Sequence, residues 1–141
     1  MPELARGVVA PLFDRLAAEG PTYDRNLLVS PQAVRDSIAR ELHRLFNTRR
    51  PSGSALVAGL PATVLDYGIP DFSDLYVDGL PDREKLASGM ADSIRWFEPR
   101  LANPAVQVLP PRTPGGPMVV AVSGDVVIGT RVQRVEFDMD V

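Results

Sequence analysis

Apolar residues recur at helical spacing from Pro31 to Phe46, at Val34, Ile38, Leu42, Leu45 and Phe46, the strongest periodic signal in the chain. Ser30 is placed to cap this helix and Pro31 to occupy its first position, where a missing N–H costs nothing. A second amphipathic helix is predicted from Arg83 to Phe97, with Asp82 as cap, Leu86, Met90, Ile94 and Phe97 as its buried stripe, and Trp96 at the edge of the core. Gly89 weakens it slightly, and Glu98 ends it because a residue before proline is pushed away from helical geometry. A shorter helix, Pro11 to Glu19, presents Leu12, Phe13 and Leu16 on one face and stops at Gly20.

After Pro104 the period becomes two. Val106 and Val108 begin a short strand, and two longer strands follow Met118, turned at Gly129-Thr130 in a type II′ hairpin. That register sets Val120 opposite Met139, Val122 opposite Phe137 and Gly124 opposite Val135 on one face. The other face receives Ala121 opposite Asp138, Ser123 opposite Glu136 and Asp125 opposite Arg134, so the sheet is apolar on one side and polar on the other. Helices first and strands last predict an α+β fold, with two main amphipathic helices packed on a small antiparallel sheet, a short N-terminal helix and a C-terminal β-hairpin. One domain over 1–141 is expected, with 1–29 as a short helix and loop and 47–81 as a long Gly/Pro-rich loop. Within that loop, Thr63 is placed to cap a single turn from Val64 to Tyr67 that Gly68 ends, and 51–59 has the composition of a flexible tip.

Composition narrows the chemistry. The 141 residues contain no cysteine and one histidine, His43, which removes disulfides, thiolate zinc sites and cysteine nucleophiles. His43 reads as a solvated helix residue. No apolar run approaches the roughly 20 residues of a membrane span, and Met1-Pro2-Glu3-Leu4 does not resemble a secretory signal, so a cytoplasmic protein without membrane insertion is expected. The net charge of −3 speaks against a nucleic-acid partner. Arginines Arg35, Arg40, Arg44, Arg49 and Arg50 are interleaved with Asp36 and Glu41 and lack stacking aromatics, which suits a solvated or partner-facing helix better than a nucleic-acid stripe. All basic residues except Lys85 are arginine, which fits either protein contacts or the base composition of the gene. No Gly-x-Ser-x-Gly elbow or phosphate-binding glycine loop occurs, and no cofactor is expected.

Glu98 is the first candidate for acid catalysis, as the proton donor of a peptidoglycan glycosidase, and Asp66, Asp71 and Asp74, in loops, are the remaining carboxylates for the second role. Arg100, two residues from Glu98, opposes proton donation, because a neighbouring guanidinium keeps a carboxylate ionised.

Five segments, in order, carry a resemblance: Leu12-Phe13-Asp14-Arg15-Leu16, Leu45-Phe46-Asn47-Thr48-Arg49, Tyr67-Gly68-Ile69-Pro70-Asp71-Phe72, Phe97-Glu98-Pro99-Arg100-Leu101 and Val135-Glu136-Phe137-Asp138. Together they resemble the TssE family, baseplate subunits of type VI secretion systems, similar to the sheath-initiating wedge protein of contractile phage tails and often labelled lysozyme-like although structural. Ala39-Arg40-Glu41-Leu42 departs from the more usual Arg-Arg-Asp-Leu. The resemblance implies a noncatalytic protein, monomeric in isolation and assembled in the cytoplasm into a baseplate, whose partners are other wedge subunits and contractile sheath subunits. Its signatures fall on Glu98, Pro99 and Arg100 and on Asn47, Thr48 and Arg49, with Tyr67, Pro70 and Asp71 as further contacts. Arg134, Glu136 and Asp138 lie on the strand expected to meet the sheath. Peptidoglycan hydrolysis through Glu98 is the alternative.

Overall fold

The computed structural model describes residues 8–9, 11, 16, 27–28, 30–51, 60–75 and 79–141. Two short strands, β1 (Val8–Val9) and β2 (Leu27–Leu28), pair antiparallel with Val8 opposite Leu28; the sequence pattern did not indicate this pairing. The helix expected over Pro11–Glu19 and the tip expected over 51–59 lie outside the described residues, apart from Pro11, Leu16 and Pro51.

Helix α1 spans Pro31–Phe46, as the periodicity predicts. The Ser30 hydroxyl accepts the Ala33 N–H at 3.1 Å, satisfying one donor that the first turn leaves without a helical partner. Its stripe of Val34, Ile38, Leu42, Leu45 and Phe46 is buried, together with Ser37.

Helix α2 spans Leu80–Phe97 and so begins three residues before the predicted Arg83. Gly79, not Asp82, holds the cap position, and Pro81 lies in the first turn, where its fixed φ is already helical. Asp82 acts there through charge, favourable at the positive end of the helix dipole. Leu86, Met90 and Ile94 are buried, whereas Phe97 is half-buried and Trp96 is 42% exposed.

Three strands follow, β3 (Leu101–Leu109), β4 (Val119–Ile128) and β5 (Arg131–Asp140), in the antiparallel order β3-β4-β5. β3 starts five residues before the predicted Val106. Pro104 falls within it without disruption because β3 is an edge strand whose register shifts between Ala102 and Ala105, with Asn103 at φ +49°. The hairpin has the predicted register, including Val122 opposite Phe137 and Asp125 opposite Arg134. Gly129 takes φ +64° at the first turn position, as a type II′ turn requires. Mutual hydrogen bonds between Met118 and Val141 extend the ladder past the strand ends.

The core lies between the helices and the inner sheet face, where Val108, Val120, Val122, Val126, Val135 and Phe137 meet the helical stripes. Ile69 is fully buried among them, so the loop between the helices contributes to the core.

Candidate functional site

The first group of candidate residues stands where α2 turns into β3. Glu98 closes α2 by donating its N–H to the Ile94 carbonyl at 2.8 Å, and its own carbonyl accepts from the Leu101 N–H at 3.1 Å. Proline at 99 thus fixes a sharp corner. The Glu98 side chain is only 2% exposed and lies in the fork of Arg100: Nε donates to Oε1 at 2.7 Å and Nη2 to Oε2 at 2.6 Å. The Arg100 backbone N–H adds a bond to Oε1 at 3.2 Å, and Arg100 Nη1 reaches the Ser37 hydroxyl on α1 at 3.0 Å. One buried fork therefore joins both helices to the start of the sheet, and Pro99 is what the corner exposes. Both Glu98 oxygens are engaged by Arg100 inside the protein, an arrangement that opposes the proton-donor role considered for this residue.

The second group comes from two distant segments brought together by backbone pairing. Ile69 donates its N–H to the Thr48 carbonyl and accepts the Arg50 N–H, both at 2.9 Å, in a small parallel bridge. Gly68, at φ +116°, permits the approach, because a Cβ there would lie 2.5 Å from the Thr48 carbonyl oxygen. On the other side, Pro70 presses on Gly89 of α2 so closely that a Cβ at 89 would sit 2.6 Å from the proline Cγ. Gly89, read from sequence as a slight weakness in the helix, makes room for the Pro70 contact.

Side chains complete this clamp. Asn47 Nδ2 donates to the His43 carbonyl at 2.8 Å, Thr48 Oγ1 to the Arg44 carbonyl at 2.9 Å and Arg49 Nη1 to the Phe46 carbonyl at 2.9 Å, closing the last turn of α1. The Arg49 guanidinium stacks 4.0 Å from the Phe72 ring centre. Asp71 is held below the ordinary carboxylate range, first by the hydroxyl and amide of Ser73 and more weakly by Arg49. Tyr67 meets Phe97 edge to face at 5.2 Å. Its phenol is raised above the ordinary tyrosine value, mainly by burial and then by Glu41. The turn before it, Val64–Asp66, is capped at Thr63 as expected and gains a reciprocal bond from the Thr63 N–H to Asp66 at 2.8 Å.

Arg50 corrects a sequence expectation. Read as part of a solvated stripe, it is 95% shielded, and its Nε and Nη1 have no hydrogen-bond partner in the structure. Burial lowers its pKa, against the pull of Asp66 and Asp92.

The third group lies on the hairpin. Arg134 bridges to Asp125 at 3.2 Å and to the Ser123 hydroxyl at 3.1 Å, and Asn103 reaches Asp125 from β3 at 3.2 Å. Beyond this network the outer sheet face forms a trough of about 310 Å³, floored by Ala105, Ala121 and Ser123 and bordered by Gln107, Glu136 and Asp138. Arg35, read from sequence only as one of the helix arginines, donates from Nη2 to the Glu136 carbonyl at 2.8 Å, and Ser37, which sequence reasoning did not single out, matters at the corner. Ser37 falls on the α1 face that carries Val34 and Ile38, a polar residue in a buried stripe, which was a legible signal. Among the described residues no cluster of three or more acidic or histidine side chains could hold a metal, and no helix is long and apolar enough to cross a membrane.

Comparison with known proteins adds three findings. The model of the family described as "Baseplate wedge protein gp25" matches residues 32–128, which include α1, α2, β3 and β4. A solved structure titled "The baseplate complex from the type VI secretion system" contains a chain with a similar fold, at TM-score 0.54 and 21% identity over 78% of this chain and 95% of that one. No curated protein matches the sequence significantly.

Proposed function

The chain belongs to the baseplate wedge protein gp25 family, and on that premise we propose that it is the TssE-like subunit of a type VI secretion baseplate, assembled on the cytoplasmic side. Its role is structural. It docks on the other wedge subunits and initiates the contractile sheath, with no catalytic step of its own. The single observation that carries this reading is the family match over residues 32–128, and the likeness of the fold to a baseplate chain agrees with it.

Wedge docking is assigned to the corner and the clamp. Glu98, Arg100, Thr48, Tyr67 and Pro70 shape these surfaces from within, and Pro99, Asn47, Arg49 and Asp71 are the members exposed for contact. What supports this assignment is rigidity: the exposed groups sit on backbone fixed by the Glu98 fork and the Ile69 bridge, so little freedom is lost on binding. Sheath contact is assigned to Arg134, Glu136 and Asp138 on β5, an edge strand to which a sheath strand adds through main-chain hydrogen bonds. The exposed carboxylates of Glu136, Asp138 and Asp140 favour basic side chains on the added strand.

Capture of the full chain from cells expressing a complete secretion cluster tests the proposal. Recovery of wedge subunits with wild type, and loss of them with Arg49→Ala or Asp71→Ala, is expected. Clearing of peptidoglycan by purified wild-type protein, abolished in Glu98→Gln, would establish the glycosidase alternative instead.

A further inference from the structure

The outward edge of β5 is not open along its length. In a two-residue hairpin the residues flanking the turn, Ile128 and Arg131, form the first hydrogen-bonded pair, and pairing alternates from there. The mutual bonds between Met118 and Val141 fall on the same alternation. Residues 131, 133, 135, 137 and 139 therefore bond to β4, and Val132, Arg134, Glu136, Asp138 and Asp140 turn their N–H and C=O groups toward the free edge. Glu136, at the middle of that edge, already has its carbonyl occupied by the Arg35 guanidinium, which reaches across from α1 at 2.8 Å. Arg35 Cζ lies 5.5 Å from the centre of the Phe137 ring, so the side chain, though exposed, follows the flank of β5. A neighbouring strand would run about 4.8 Å from β5, in the space where this guanidinium stands.

We propose that Arg35 is a latch on the β5 edge: it closes the edge to pairing in the free subunit, and the strand that opens it carries a carboxylate on the side facing α1. This deepens the strand-addition reading above and rests on it. Main-chain bonding by an arriving strand at Glu136 displaces the guanidinium from its acceptor. For the displaced guanidinium an inward carboxylate on the incoming strand is a stronger, charge-assisted acceptor than water, while outward basic residues meet Glu136, Asp138 and Asp140. The fitting occupant is thus an extended segment that alternates basic and acidic faces. A second copy of this chain, whose β5 presents Arg134, Glu136, Asp138 and Asp140 on one face and apolar Val135 and Phe137 on the other, lacks that inward carboxylate and stays excluded while the latch is closed.

The test uses the full chain and two nine-residue peptides with lysine at alternate positions, one carrying glutamate and one glutamine at the intervening position that meets Arg35. Anisotropy titration should show wild type preferring the glutamate peptide by about fivefold, the order of one solvent-accessible hydrogen bond. Arg35→Ala should bind both peptides equally and self-associate more than wild type in sedimentation velocity. Adding Glu136→Pro, whose lost N–H faces outward, should remove both binding and self-association. Equal binding by wild type and Arg35→Ala, with unchanged self-association, would overturn the latch and leave strand addition standing. Binding of neither peptide by either protein would overturn both.

Discussion

At the scale of single residues, charge and glycine do the most specific work. The buried Glu98–Arg100 fork is a pair in which removal of one member strands the other without water. Arg100→Ala should therefore lower unfolding stability by about 3–5 kcal/mol in denaturant titration, a larger effect than the mild one a solvent-exposed corner would give. Gly89→Ala should cost more than the roughly 1 kcal/mol that alanine normally returns to a helix, because the new methyl meets the Pro70 ring; a stabilised variant would show that the contact is slack. Tyr67 carries a pH signature. Its native phenol holds the proton to higher pH than the unfolded chain does, so its contribution is complete below about pH 10 and is lost as pH rises through the native value. Tyr67→Phe should flatten that alkaline decline in stability. Much at this scale could not be read in the linear chain: Glu98 and Arg100 were visible as a pair, but the bond from Arg100 to Ser37 spans 63 positions.

At the scale of elements, legibility followed the source of each signal. α1 was readable to the residue because cap, first-turn proline and stripe agree. The hairpin register was readable because a single slip would have turned Val120, Val122 and Phe137 to solvent. The starts of α2 and β3 were misplaced because Asp82 offered a cap and the alternation begins only at Val106, yet Pro81 sits in a first turn and Pro104 on an edge strand at a bulge, two places that tolerate proline. The Thr48–Ile69 bridge depends on tertiary pairing and has no local pattern. The sheet also explains Gly124, opposite Val135, where an added Cβ would lie 2.7 Å from the Leu101 side chain and 3.0 Å from the Ala102 carbonyl. Gly124→Val should destabilise the domain by about 1–3 kcal/mol through overpacking, measured by thermal melting alongside a Gly129→Ala control.

At the scale of the whole molecule, a helix pair and a three-stranded sheet are tied at one corner by an ion-pair fork, and the proposed function assigns sheath contact to the β5 edge. Under the proposed function, the subunit holds to its baseplate neighbours through the corner and clamp and starts the sheath from β5. The corner and clamp are fixed by internal bonds, whereas the outward main-chain groups of β5 have no neighbouring strand among the described residues, and Arg35 occupies the Glu136 carbonyl. The most direct test replaces the host's own copy with Glu136→Pro, which removes an outward N–H while leaving the Phe137 side of the sheet in place, and images fluorescent sheath in living cells. Circular dichroism of the purified variant should match wild type, baseplates should still recruit the subunit, and sheath assembly should fail. A folded, recruited variant that initiates sheaths at the wild-type frequency would contradict the account.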